Sequence, residues 1–244
     1  METTIEVKNL CKSYDLHSKA VENINISVCR GEVFGLLGAN GAGKSTTIEC
    51  ILGTKKQDDG TISILGVNPQ KERKKLFEKV GVQFQEANYQ DKIRVSELCE
   101  VTASLYKIPL NYGALLKKFG LSDKQKSLVS ELSGGQKQRL FIVLALIPNP
   151  EVIFLDELTT GLDAKARREV WKCLSELKAK GITILLTSHF MDEIEALCDK
   201  IMILKKGENV FCGTVQEAIA ISPYEKFEDA YLWYTDEEVG NESI

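Results

Sequence analysis

One run of this chain has the residue types and the spacing for phosphate chemistry. It is Gly38-Ala39-Asn40-Gly41-Ala42-Gly43-Lys44-Ser45-Thr46, which fits G-x-x-x-x-G-K-[ST]. The glycines Gly38, Gly41 and Gly43 let the backbone curl until its N–H groups face a polyphosphate. Lys44 has the reach to meet β and γ phosphates, and the Ser45 hydroxyl suits Mg²⁺. A helix opening at Lys44 adds its positive end and its unpaired N–H groups. The competing reading is a glycine turn before a helix, with an incidental lysine.

Further groups could complete such a site. Val152-Ile153-Phe154-Leu155 is wholly apolar and ends in Asp156-Glu157. A buried strand ending in two carboxylates needs a reason, because unpaired buried charge is costly. Beside a phosphate cradle, Asp156 can hold Mg²⁺ directly or through water, and Glu157 can polarise a water in line with the γ-phosphorus. Without the cradle the same acids would simply open a solvated turn. His189 follows another apolar run, Ile182 to Leu186, and can meet the γ-phosphate or orient that water. A lone histidine is as readily structural, and periodicity does not decide. Gln85 follows Val80 to Phe84, and its amide can reach Mg²⁺ or the water, or can belong to a polar loop.

Elements must hold these groups together. Val33 to Leu37 reads as a buried strand before the cradle, and Lys44 to Leu52 has helical apolar spacing. Ahead of them, Thr3-Ile5-Val7 and Ile24-Ile26-Val28 alternate as antiparallel strands, with a loop around Asp15 to Lys19 and Tyr14 between them. Asp58-Asp59-Gly60 reads as a turn before a strand at Thr61 to Ile64. The basic run Lys71, Arg73, Lys74 and Lys75 reads as a solvated helix face within 70–78. Residues 86–132 hold helical patterns at Val95 to Tyr106 and Asn111 to Phe119, as an inserted helical subdomain would.

Ser133 with Gln136 three positions on is a capping box, so a helix should run from there to Ile147, stopped by Pro148 and Pro150. Ala164 to Ala179 is amphipathic and ends at Gly181. Continuous apolar strands alternating with helices predict a mostly parallel sheet covered on both faces. Ile201 to Leu204 and Asn209 to Phe211 predict a closing antiparallel hairpin around Lys206-Gly207. Ser222-Pro223 predicts a last helix reaching Tyr234, and residues 236–244 an acidic, loose tail.

The chain has 244 residues and a formal net charge of −4, with ordinary apolar and charged fractions. It offers no overall basic field, so nucleic acid is not an expected partner. No run of apolar residues is long enough to span a membrane, and the N-terminus lacks signal-peptide character. Seven cysteines without a C-x-x-C pair point to reduced thiols in a cytoplasm. Cys50, Cys173 and Cys198 read as small core residues. Two histidines exclude a histidine-rich metal site.

Leu132-Ser133-Gly134-Gly135-Gln136-Lys137-Gln138-Arg139, taken with the cradle and with Asp156-Glu157 in this order, resembles the nucleotide-binding subunit of ATP-binding cassette (ABC) transporters. The resemblance covers roughly residues 3–215 and implies a P-loop NTPase α/β fold with an N-terminal antiparallel β subdomain. It implies one ATPase domain over 1–235. Its core would span about 1–85 and 133–215, with a helical subdomain at about 86–132 and a C-terminal helix at about 222–234.

By this resemblance Tyr14 stacks on adenine, and Gly38 to Thr46 hold the phosphates, Gly38, Asn40, Gly41, Gly43, Lys44, Ser45 and Thr46 among them. Gln85 senses Mg²⁺ and water, Asp156 associates with Mg²⁺, Glu157 is the general base and His189 the switch. Ser133, Gly135 and Gln136 contact the γ-phosphate of ATP on an opposite subunit, and Thr160-Gly161-Leu162-Asp163 communicates between sites. The implied cofactors are ATP and Mg²⁺. The implied partners are a second nucleotide-binding subunit, the same or a homologous chain, head to tail, and a separate transmembrane permease at the inner face of the cell membrane. Phe227-Glu228-Asp229-Ala230-Tyr231-Leu232 resembles the end of export-type ATPases and serves equally as a packing helix.

Two rivals compete with this reading. Soluble ABC ATPases of DNA repair or the ribosome share the core but usually carry large insertions or a second cassette. A non-catalytic regulatory module would not need Lys44, Asp156, Glu157 and His189 together. The chain departs from the family at Leu158, where a proline usually follows the base and stiffens the strand exit. Leu158→Pro is expected to change turnover by less than about tenfold, with ATP affinity unaltered. Steady-state kinetics showing a larger change at constant affinity would contradict this.

Overall fold

The computed structural model describes residues 2–14, 19–83 and 89–235. Gln85, part of the loop before Lys19 and the acidic tail at 236–244 lie outside them.

The N-terminal alternation extends further than the sequence suggested. Strand β1 is Thr3–Ser13 and β2 is Lys19–Cys29. They pair antiparallel, with Val7 opposite Ile26 and Leu10 opposite Ile24. After β3 (Val33–Leu37) and helix α1 (Lys44–Ile51) comes β4, Asp59–Ile64, antiparallel to the other side of β1. The sheet order is β2-β1-β4. Asp59-Gly60 therefore belongs to a strand and not to the expected turn. The reason lies one residue earlier: the Asp58 carboxylate accepts from Lys12 Nζ (2.7 Å) and from the Ser13 amide (2.6 Å), so pairing continues as far as Asp59 opposite Cys11.

The second sheet carries the site. It adds β5 (Val80–Gln83), β6 (Val152–Asp156), β7 (Thr183–Thr187), β8 (Lys200–Lys205) and β9 (Glu208–Gly213). The order is β5-β6-β7-β3-β8-β9, parallel except for the closing β8-β9 hairpin. Every residue of β3, β6 and β7 is buried, as strands covered on both faces must be. Within β3, Val33 and Leu37 join the core under the helices, while Phe34 and Leu36 join the core under the antiparallel sheet. That is the two-residue period of a strand read out as two cores.

The basic run yields only a short helix, α2 (Arg73–Leu76), of which Leu76 alone is buried. Helices α3 (Val95–Ser104) and α4 (Tyr112–Lys118) follow, with one-turn helices at Ser122–Lys124 and Val129–Glu131. Then come α5 (Gly134–Leu146) and α6 (Ala164–Ala179). The sequence reading did not anticipate α7 (Met191–Leu197) or α8 (Val215–Ile221), both too short to build a periodic signal. A Thr214–Glu217 capping box was the available clue for α8.

The last helix, α9, is Phe227–Thr235 and does not start at Pro223. Ser222 instead closes α8, with its hydroxyl donating to the Ile219 carbonyl (3.0 Å) and accepting from the Tyr224 amide (3.2 Å). Among the described residues, no helix is long and apolar enough to cross a membrane.

Helix α5 leans on β5 at backbone contact: a Cβ on Gly81 would lie 2.0 Å from the Ala145 carbonyl oxygen. No rotamer relieves a clash with main chain. Gly81→Ala should destabilise the fold by about 1–3 kcal/mol, measured by urea unfolding. A loss within about 0.5 kcal/mol would mean that α5 shifts freely on the sheet.

Candidate active site

Strands β6, β7 and β3 lie side by side, with Asp156 opposite Thr187 and Thr187 opposite Leu36. Their exits bring the cradle, the carboxylates and the histidine to one edge. The chain leaves β3 through Gly38 (φ +148°), and α1 opens from Gly43 (φ +105°). A Cβ on Gly38 would lie 2.5 Å from the Leu204 carbonyl oxygen, and one on Gly43 would lie 2.5 Å from that of Ala20. Dihedral and space both demand glycine there. No side chain caps α1, which leaves its first-turn N–H groups to the cleft.

Lys44 is 6 % exposed, and its ammonium donates to the carbonyls of Gly38 (2.7 Å) and Ala39 (3.2 Å). Burial holds its pKa below the usual lysine value, opposed by the negative charge of Glu157 and Asp156.

Asp156 is 9 % exposed and accepts at Oδ1 from the Thr187 hydroxyl (2.6 Å). Burial raises its pKa, and the Thr187 bond pulls the other way. Glu157 stands in left-handed backbone (φ +50°), where its amide donates to the Thr187 carbonyl (3.2 Å) and hydroxyl (3.0 Å). A non-glycine residue there costs on the order of 1–3 kcal/mol. The strained turn brings the carboxylate to His189, with Nε2 to Oε1 at 2.6 Å.

A cleft of about 730 Å³ collects most of the expected groups. Tyr14, Asn40, Gly41, Gly43, Lys44, Ser45, Thr46, Glu157 and His189 line it, together with Lys19, Ala20, Ala39 and Lys206. Tyr14 is 55 % exposed at its rim, its hydroxyl sharing a hydrogen bond with Thr46 Oγ1 (3.0 Å) and accepting from Lys55 Nζ (2.7 Å). Lys55 also pairs with Glu49 (2.8 Å) and sits 4.8 Å from the Tyr14 ring centre. Gly38 and Asp156 stand behind the lining.

Sequence reasoning missed Lys19, Lys55 and Lys206. Nothing in their sequence neighbourhood marks these lysines, and only the pairing of β2 and the β8-β9 turn brings Lys19 and Lys206 to the rim. Gln85 lies outside the described residues.

The donor set fits a nucleotide with Mg²⁺. The cleft offers uncapped N–H groups, a lysine for phosphate and an exposed Ser45 hydroxyl, and behind its lining stands Asp156, a carboxylate whose ionisation burial disfavours. Among the described residues, no three His, Cys, Asp or Glu side chains cluster to hold a metal alone. A cation here would draw further ligands from phosphate oxygens and water.

Ser133, Gly135 and Gln136 are elsewhere. Ser133 caps α5, accepting from the Gln136 amide (3.3 Å) while its own amide donates to Gln136 Oε1 (3.0 Å). Ser133 and Gly135 line a second cleft of about 400 Å³ with Gly134, Arg139, Gly161, Leu162, Asp163, Lys165, Ala166 and Glu169. The two clefts share no lining residue. Gln136 is bound into the cap and lines neither.

A family model described as "ABC transporter" matches residues 21–160. The Nod factor export ATP-binding protein I of Mesorhizobium japonicum is 41 % identical over 221 residues, covering 88 % of this chain and 64 % of that protein. This chain thus spans just under two thirds of that relative's length. A solved ATP-binding subunit of an ABC transporter superposes with a TM-score of 0.85 at 29 % identity, over 95 % of this chain and 99 % of the other. An ATP-binding cassette solved as a dimer in a post-hydrolysis state, bound to ADP and Pi, superposes with a TM-score of 0.78 at 26 % identity, over 86 % and 98 %.

Because burial raises the Asp156 pKa above its ordinary 3.8, ionising this group opposes folding. That cost is absent below the ordinary value and complete once pH passes the folded value. Asp156→Asn, which keeps an oxygen for Thr187, should raise the melting temperature of the ligand-free protein at neutral pH. Calorimetry finding the variant no more stable than the parent would contradict the charge argument.

Proposed function

The chain belongs to the ABC transporter family, as one of its ATPase cassettes with the P-loop NTPase fold, and from that premise we propose that its ATP cycle closes two subunits head to tail and drives a separate transmembrane permease. The observation that carries this is the division of the site. Cradle, base and histidine share one cleft, while Ser133 and Gly135 open onto another. A second copy, or a homologous chain, brings its own Ser133 patch to the first cleft, as the dimeric neighbour with ADP and Pi suggests by analogy.

Roles follow from position. The N–H groups of the glycine loop and α1 take the phosphates, and Lys44 exchanges its two carbonyl acceptors for phosphate oxygens. Tyr14, tethered through its hydroxyl and exposed at the cleft rim with Lys55 over one side of its ring, stacks on adenine. Ser45 and Asp156 would hold Mg²⁺, with Gln85 from the start of the helical segment, and the ion supplies charge neutralisation across the phosphates. Glu157 takes the proton of the attacking water. His189 holds the Glu157 carboxylate in line and releases when the γ-phosphate leaves. Ser133 and Gly135 grip the γ-phosphate from the opposite subunit at the α5 N-terminus, which Gln136 holds in shape through its cap bonds to Ser133.

Residues 1–235 act as one domain, with the core at about 1–85 and 133–215 and the helical segment at about 86–132 facing the permease. Export is the favoured direction, because curated relatives that cover most of this chain are named for Nod factor export. The site of action is then the inner face of the cell membrane, through the permease.

Glu157→Gln should bind ATP and hold the closed pair. With ATP and Mg²⁺ it should elute from gel filtration as a dimer, and without nucleotide as a monomer. Elution as monomer alone under saturating ATP would count against the proposal.

A further inference from the structure

Glu193 is the most deeply enclosed carboxylate beside this site, 3 % exposed in the first turn of α7. It neither lines the nucleotide cleft nor meets a phosphate-binding residue. A buried carboxylate is costly unless donors surround it, and a hydrophobic side chain would fill the same space at less cost. Its partners explain its presence. Oε2 accepts from the Thr159 hydroxyl (2.9 Å) and, through a short bond, from the Ser188 hydroxyl. Oε1 accepts from the indole Nε1 of Trp171 on α6 (2.9 Å). Thr159 stands two residues after Glu157, and Ser188 stands one residue before His189. One oxygen thus pins together the two loops that carry the base and the histidine, and the other oxygen ties that junction to α6.

The surrounding contacts stiffen the same seam. Ser188 Oγ also accepts from the Phe190 amide (3.0 Å). Arg167 of α6 lies 4.2 Å from the Phe190 ring centre and pairs with Asp192 (3.2 Å). Leu158, between base and tether, is buried and brings no proline stiffness of its own.

We propose that Glu193 is a positioning residue for ATP hydrolysis: by joining Thr159 to Ser188 it sets the register of the two loops and so holds Glu157 against His189. This rests on the roles given above to Glu157 and His189. A shift of about 1 Å between reacting groups can lower rate about 10²-fold without touching substrate binding. Loss of Glu193 therefore acts on kcat and spares ATP affinity.

The test uses the full chain labelled with ¹⁵N-histidine, in which His189 and His17 are the only histidines. In Glu193→Ala, kcat should fall about 10²-fold with the ATP dissociation constant within about twofold. The His189 ring nitrogen signal should move to the value of a solvated imidazole. Glu193→Gln can still accept from Trp171 and meet both hydroxyls, so it should recover most of the lost rate and the parent signal. If Glu193→Ala does not fold, the double variant Thr159→Val, Ser188→Ala removes the same two tethers, and its kcat and His189 signal decide instead. An unmoved His189 signal overturns the proposal whatever the rate does, and so does a kcat within about threefold of the parent beside an unchanged ATP affinity. A parent chain without ATPase turnover would refute the functional reading, while the ring signal would still report whether Glu193 holds the loops.

Discussion

Thr187 is the residue on which the site hangs. It ends a strand buried on both faces, and its side chain and carbonyl hold the Asp156 carboxylate and the Glu157 backbone amide at the exit of the neighbouring strand. The hydroxyl donates to Asp156 and accepts from the Glu157 amide, and the carbonyl accepts from the same amide. Those contacts exist only because β6, β7 and β3 are adjacent and in register. Apolar packing of the strands supplies the stability, and the polar groups are confined to the one edge where the strands leave the core. The left-handed turn at Glu157 is tolerated because Thr187 fixes its amide.

The ligand-free site is electrostatically incomplete. Lys44 is buried with only carbonyls as hydrogen-bond acceptors and has its charge disfavoured, while Asp156 is buried a strand away and has its own charge disfavoured in the opposite sense. Neither group is placed for the stability of the empty fold. A polyphosphate and a divalent cation would relieve both at once, one sign each. This is the pattern of a binding site whose parts are held apart by scaffold and joined by ligand.

Much of this was legible in the residue order. The cradle, the apolar strands, the α5 capping box and α6 declared themselves through local rules that need no partner. What stayed hidden depends on long-range placement. The bond between Glu157 and His189 joins residues on the loops that follow two strands, and nothing near either one announces the other. Glu193 looked like any acid in the first turn of a short helix, because three donors from three separate segments are what make it distinctive. The last helix misled because Ser222-Pro223 fits a start signal locally, while the serine was already engaged in ending α8.

The second cleft gives the account its shape. Ser133 and Gly135 sit beside the start of α6, away from the cradle, so under the proposed reading a complete phosphate site takes two chains. Mixing two inactive variants tests this most directly. A Lys44→Ala chain lacks the cradle but keeps Ser133, and a Ser133→Arg chain keeps the cradle but lacks the patch. The account predicts that each is inactive alone and that ATP hydrolysis returns on mixing, because a mixed pair contains one intact composite site. Hydrolysis by Ser133→Arg alone at the parent rate, or no recovery from a mixture shown to pair, would contradict it.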